Sequence, residues 1–130
     1  MNDVTRQLKE KAVSAIMAYK NQILEDFLAH AKNFQMTIDY LLTHGKRKDG
    51  NLWLDDALKP LGKTVIFKLK DIEHVNTLLK NLNKENAVDV FNYIFQLDPY
   101  FTIFVSFINM QHLVNQFSNC VEGINAILNC

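Results

Sequence analysis

Neither glycine nor proline occurs before Gly45, and the first 44 residues carry one uninterrupted apolar stripe. Val4, Leu8, Ala12, Ala15, Tyr19, Ile23, Phe27, Ala31, Phe34, Ile38 and Leu41 recur about every 3.7 residues, close to the period of a helix that buries one face. The stripe shows no phase jump, so it predicts a single helix over residues 4–44, with Gly45 where a C-terminal capping glycine belongs. Such a helix is about 60 Å long at the standard rise per residue. A compact chain of 130 residues is only about 36 Å across. The helix cannot fit inside such a globule, and the molecule must be elongated.

The last third of the chain repeats the constraint. Ile103, Phe107, Met110, Val114, Phe117, Val121, Ile124 and Leu128 alternate spacings of four and three, a 3.5-residue repeat that signals near-parallel packing against another helix. The expected helix covers residues 99–129, about 46 Å. Asp98-Pro99 marks its start, with Asp as cap and Pro at the first helical position. Between the two long helices the signals are shorter. Residues 45–51, GKRKDGN, read as a turn with a basic tip. Residues 64–70, TVIFKLK, place Val65, Phe67 and Leu69 on one face and Thr64, Lys68 and Lys70 on the other, which is a strand signal. Paired with residues 51–54 this strand gives a small hairpin, and Pro60 with Gly62 breaks what lies between. Asp71 is expected to cap a helix whose inner face is Ile72, Val75, Leu79 and Leu82, and a second helix follows from Lys84 to Leu97, with Ala87, Phe91, Ile94 and Phe95 inward. The expected fold is therefore all-α, or α with one small β-hairpin. It is an elongated helical bundle built on two long helices, with residues 1–130 as a single helical domain. The two middle helices would stack end to end as a third rod, and the hairpin would cover one end.

Charge narrows the partners. Fourteen basic and fourteen acidic side chains cancel, so there is no general attraction to nucleic acid or to anionic lipid. The distribution is uneven: residues 98–130 contain Asp98 and Glu122 but no Lys or Arg. The N-terminal MNDVTRQLKEKAV lacks an apolar signal core. Cys120 and Cys130, on one helix, would be about 15 Å apart, too far to bridge, and two free thiols favour a reducing, cytoplasmic setting. The near-apolar run Tyr100–Ile108, YFTIFVSFI, is too short to cross a membrane, and polar residues end it from Asn109.

Candidate chemistry is sparse. Asp26 and His30 share a helix face but lack the further ligands that bundle metal sites carry, and Asp71 beside His74 is better explained as a cap. Asp55 and Asp56 are adjacent, so they point apart and suit a loop or a cap. Cys120 flanks the heptad position Val121, where an inert thiol is ordinary. No cofactor and no metal is expected, and the balance leans against an enzyme.

Half of the aromatic residues crowd into residues 91–107, more than a three-rod bundle can bury. The reading that follows is a non-enzymatic helical protein–protein interaction module, an adaptor, inhibitor or regulatory subunit, acting through its long helices. Its partner would be another protein or a second copy in a homodimer. Tyr100, Phe101, Phe104, Phe34 and Ile38 are the candidate anchors. The first alternative is a nucleic-acid-associated regulator contacting phosphate through Lys46, Arg47 and Lys48; the lone tryptophan and the neutral balance argue against it. The second is a small ligand-binding or enzymatic bundle, which needs polar groups converging in a cavity.

Overall fold

The protein is described here from a computed structural model covering residues 2–54, 65–97 and 99–130, without the side chains of residues 99 and 100. Helix α1 spans Asp3–His44 as one unbroken element, capped by Asn2, whose Oδ1 accepts the Thr5 amide at 2.8 Å. Three short strands follow: β1 (Lys46–Lys48), β2 (Asn51–Trp53) and β3 (Ile66–Lys68). They form an antiparallel sheet in the order β1-β2-β3. Helices α2 (Leu69–Lys80) and α3 (Ala87–Leu97), a 3-10 turn (Pro99–Ile103) and α4 (Val105–Leu128) complete the chain.

α4 lies antiparallel along α1. Phe34 packs against Phe107 with ring centroids 5.4 Å apart, the Lys20 ammonium sits 5.6 Å over the Phe117 ring, and Lys9 Nζ donates to the Cys130 carbonyl at 2.7 Å. As one sequence number falls the other rises, so the heptad face of α4 tracks the stripe of α1.

Helices α2 and α3 form a side-by-side hairpin, not the end-to-end rod expected above. His74 and Tyr93 meet edge to face at 5.8 Å, which collinear helices could not achieve. Asparagines build the bend. Asn83 Oδ1 accepts the amides of Glu85 and Asn86 at 2.9 and 3.0 Å, and Asn86 Oδ1 accepts the Asn83 amide at 2.8 Å. This reciprocal pair caps the incoming end of α3 and delays its start to Ala87. Asp71 is not a cap either. β3 runs straight into α2, so Asp71 falls within the first turn, where a carboxylate favours the helix dipole. Polar side chains fix the α1–α2 register: Gln35 Nε2 donates to Asn76 Oδ1 at 3.1 Å, and Asn76 Nδ2 to Asp39 Oδ1 at 3.3 Å.

The sheet exceeds the expected hairpin by one strand. Asp49 and Gly50 have φ of 55° and 75°, the positive pair of a two-residue hairpin turn, and they fold Lys46–Lys48 back onto Asn51–Trp53. Gly45 does close α1, its amide donating to the Leu41 carbonyl at 2.7 Å, but its φ of −70° is open to any residue. Space is what requires a glycine there: a Cβ would lie 2.6 Å from both the Leu41 carbonyl oxygen and Leu52 Cδ1.

The core occupies one end of the molecule. Its fully enclosed large side chains include Phe27, Phe34, Ile38, Leu52, Phe67, Ile72, Ile94, Phe101, Phe107 and Met110. They come from α1, the sheet, α2, α3, the 3-10 turn and α4, so this head is a sandwich of all of them. On α1 the buried positions begin at Ile23 and end at Leu41.

Candidate functional site

The remaining stretch of α1, Asp3–Gln22, has no buried side chain. It projects about 30 Å from the head. Within the described residues its one companion is the C-terminal half of α4, reached through Ile16 beside Gly123, Lys20 over Phe117 and Lys9 at Cys130. Two helices side by side leave most of each perimeter open. Val4 and Leu8 are 65% and 62% exposed, Tyr19 56% and Leu128 64%, with Met17 and Val121 also exposed. Between the two helices runs an open groove of about 490 Å³, lined by Ala15, Ile16, Tyr19, Gln116, Asn119, Cys120 and Gly123. A Cβ at Gly123 would meet Ile16 Cδ1 at 3.8 Å, an ordinary van der Waals contact, so the two helices are loosely apposed there.

No protein-family model, curated protein or solved structure matches the chain. The surfaces alone carry the functional reading.

The anchors expected from sequence fall elsewhere. Phe34, Ile38 and Phe101 are wholly enclosed in the head, so they offer no surface to a partner. Phe104 is half-buried, stacked on Phe67 at 6.4 Å and tilted against Phe34 at 6.0 Å. The Tyr100 side chain lies outside what is described. The physical reason is a break in the last helix. Residues 99–103 form a 3-10 turn, and Phe104 is extended at φ −95°, ψ 126° before α4 begins. The turn carries Phe101 between α1 and the sheet, with Phe34 at 5.6 Å and Phe67 at 5.3 Å. The sheet, a third layer, takes up part of the aromatic surplus, Phe101 and Phe104, while Tyr93 and Phe95 stay exposed on α3. The apolar stripe is covered at its Phe34–Leu41 end and open at its Val4–Leu8 end. What sequence reasoning could have used is the composition of residues 3–22: Ala12, Ala15 and Ala18 with Ser14 are too small to fill a core.

The chemical constellations do not assemble. Among the described residues no group of three His, Cys, Asp or Glu side chains comes together to hold a metal ion. Asp26 accepts from Gln22 at 3.1 Å, and His74 is taken up by Tyr93. Both cysteines are free thiols, Cys120 buried and Cys130 exposed, and no histidine lines the groove where Cys120 lies. Asp55 and Asp56 lie outside the described residues. No helix among the described residues is long and apolar enough to cross a membrane. Lys46, Arg47 and Lys48 are exposed on β1, and Arg47 reaches back to the Leu42 carbonyl at 3.2 Å and towards Glu73 at 3.9 Å.

Proposed function

We propose that the chain is a non-enzymatic interaction module of the adaptor, inhibitor or regulatory-subunit kind, whose docking element is the arm formed by α1 residues 3–22 and the C-terminal half of α4. The observation that carries this reading is the set of exposed large apolar side chains on the arm, Val4, Leu8, Tyr19, Val121 and Leu128, where α1 has no buried side chain; the head also exposes Tyr40, Phe95 and Val105, but around an enclosed core. A monomer that kept such a set in water would be prone to associate through it.

The occupant we assign is a second copy. Two helices about 10 Å wide and about 30 Å long offer roughly 600 Å² per copy, or roughly 1,200 Å² in a pair, which clears the size needed for a specific interface. A two-fold arrangement turns two helix pairs into a four-helix bundle. Charge suits it. On the arm α1 carries Arg6, Lys9, Lys11 and Lys20 against Asp3 and Glu10, whereas α4 beyond Asn115 carries only Glu122. Laying α1 of one copy over α4 of the other keeps the cations apart. Two unbridged thiols support a reducing, cytoplasmic setting.

Sedimentation velocity tests the reading. The wild type is expected to sediment as a dimer at micromolar concentration. The double variant Leu8→Asp/Tyr19→Asp should sediment as a folded monomer, because neither side chain contributes to the core. A monomeric wild type, or a double variant that remains dimeric, overturns the assignment.

A further inference from the structure

The outer face of the sheet is independent of the arm, and its composition points to a different kind of partner. Strand pairing sets Lys46 opposite Trp53 and Trp53 opposite Ile66; in the next row it sets Lys48 opposite Asn51 and Asn51 opposite Lys68. Directly opposed residues share a face. The alternate row, Arg47–Leu52–Phe67, points the other way, with Leu52 and Phe67 sealed in the core. The outward face thus gathers three lysines around one indole. Lys46, Lys48 and Lys68 are exposed and none is ion-paired to a described residue. Trp53 is half-exposed. Its ring nitrogen is buried and has no hydrogen-bond partner among the described residues, and the Lys48 ammonium stands over the ring at 6.0 Å.

We propose that this face binds single-stranded nucleic acid, with the three lysines on the phosphates and the Trp53 ring stacking on a base. A flat strand surface that combines cations with an aromatic ring meets the two needs of such a ligand, a polyanionic backbone and π-faces that stack regardless of sequence. A lipid headgroup or free phosphate would use the lysines and leave the indole idle. Paired strands keep their bases stacked inside the helix, beyond the reach of the indole. This also answers the objection raised by the lone tryptophan: one aromatic suffices when the fold sets it among lysines from two other strands. The neutral net charge remains, so the binding is local and weak, in the micromolar range or above at physiological salt.

Trp53 is the only tryptophan in the chain, so its fluorescence reports the contact directly. An oligothymidylate of about ten nucleotides, labelled for anisotropy, would be titrated at low salt and at several salt concentrations. The expected result is quenching of Trp53 that saturates with the anisotropy change, and a log–log salt slope near about −2 for three phosphates on a single strand. The triple variant Lys46→Ser/Lys48→Ser/Lys68→Ser should weaken binding about tenfold or more while keeping the helical circular-dichroism spectrum. A control with the same charge loss on the arm, Lys9→Ser/Lys11→Ser/Lys20→Ser, should change binding less than about twofold. The proposal is overturned by binding without quenching, by a duplex that binds and quenches as well as the single strand, or by equal losses in the two triple variants. Should the sheet variant fail to fold, quenching and salt slope of the wild type still decide.

Discussion

Head and arm share the same helix yet obey different rules. From Ile23 to Leu41, α1 is walled in by α4, the α2–α3 hairpin and the sheet, and Phe34 alone touches the rings of Phe101, Phe104 and Phe107. From Asp3 to Gln22, the same helix with the same apolar period finds only one neighbour among the described residues. Periodicity tells a helix which face to bury; it does not say how many neighbours will arrive to bury it. The number of neighbours depends on where the other elements end. α2 descends α1 to Lys80, and the bend that follows it reaches Glu25 through the ion pair of Lys84 at 3.1 Å before the chain turns back into α3. Beyond that level, among the described residues, only α4 continues.

Single substitutions can break this comparison. Phe34→Ala should destabilise the protein by about 3–5 kcal/mol in urea unfolding, since it empties a fully enclosed ring site, whereas Leu8→Ala, compared at protein concentrations low enough to keep both chains monomeric, should stay within about 0.5 kcal/mol. Similar losses at both positions would mean that the arm is packed as tightly as the head. Gly45→Ala comes next, at roughly 1–3 kcal/mol, because its methyl would meet the backbone of Leu41 and the side chain of Leu52 at the junction of α1 and the sheet. A neutral Gly45→Ala would show that the junction yields. Asn83→Ala should cost roughly 1 kcal/mol by removing the acceptor that ties the α2–α3 bend, a drop of a few degrees in melting temperature. Lys46→Ser/Lys48→Ser should leave the melting temperature nearly unchanged, within about 0.5 kcal/mol, since both side chains stand clear of the core.

Much of the head was written in the sequence, but unevenly. α1 was legible because its stripe runs without glycine or proline, and its observed bounds, Asp3–His44, differ by one residue at the start. Val65 and Phe67 alternate as a strand face should and are buried, but Leu69, expected on the same face, is already the first residue of α2. β1 was invisible because Lys-Arg-Lys has no apolar alternation: an edge strand held by its turn and its partner needs none, and lysines protect such an edge from further pairing. The break at Phe104 was hidden for the opposite reason. Residues 100–108 are so uniformly apolar that no phase survives to show where the helix starts. Phe95, expected inside, is 52% exposed because α3 touches the bundle along a narrow line through Ala87, Phe91 and Ile94. The length of the stripe shows that α1 must outrun a compact body, but not at which end. That choice rests on where the sheet and the 3-10 turn cover the stripe.

Amide hydrogen exchange along α1, measured at two protein concentrations, tests the central claim most directly. The account predicts slow exchange from Ile23 to Leu41 that is indifferent to concentration, and faster exchange from Lys9 to Tyr19 that slows as the protein is concentrated and arms pair. Uniform protection along the whole helix, or an arm whose exchange ignores concentration, would contradict it.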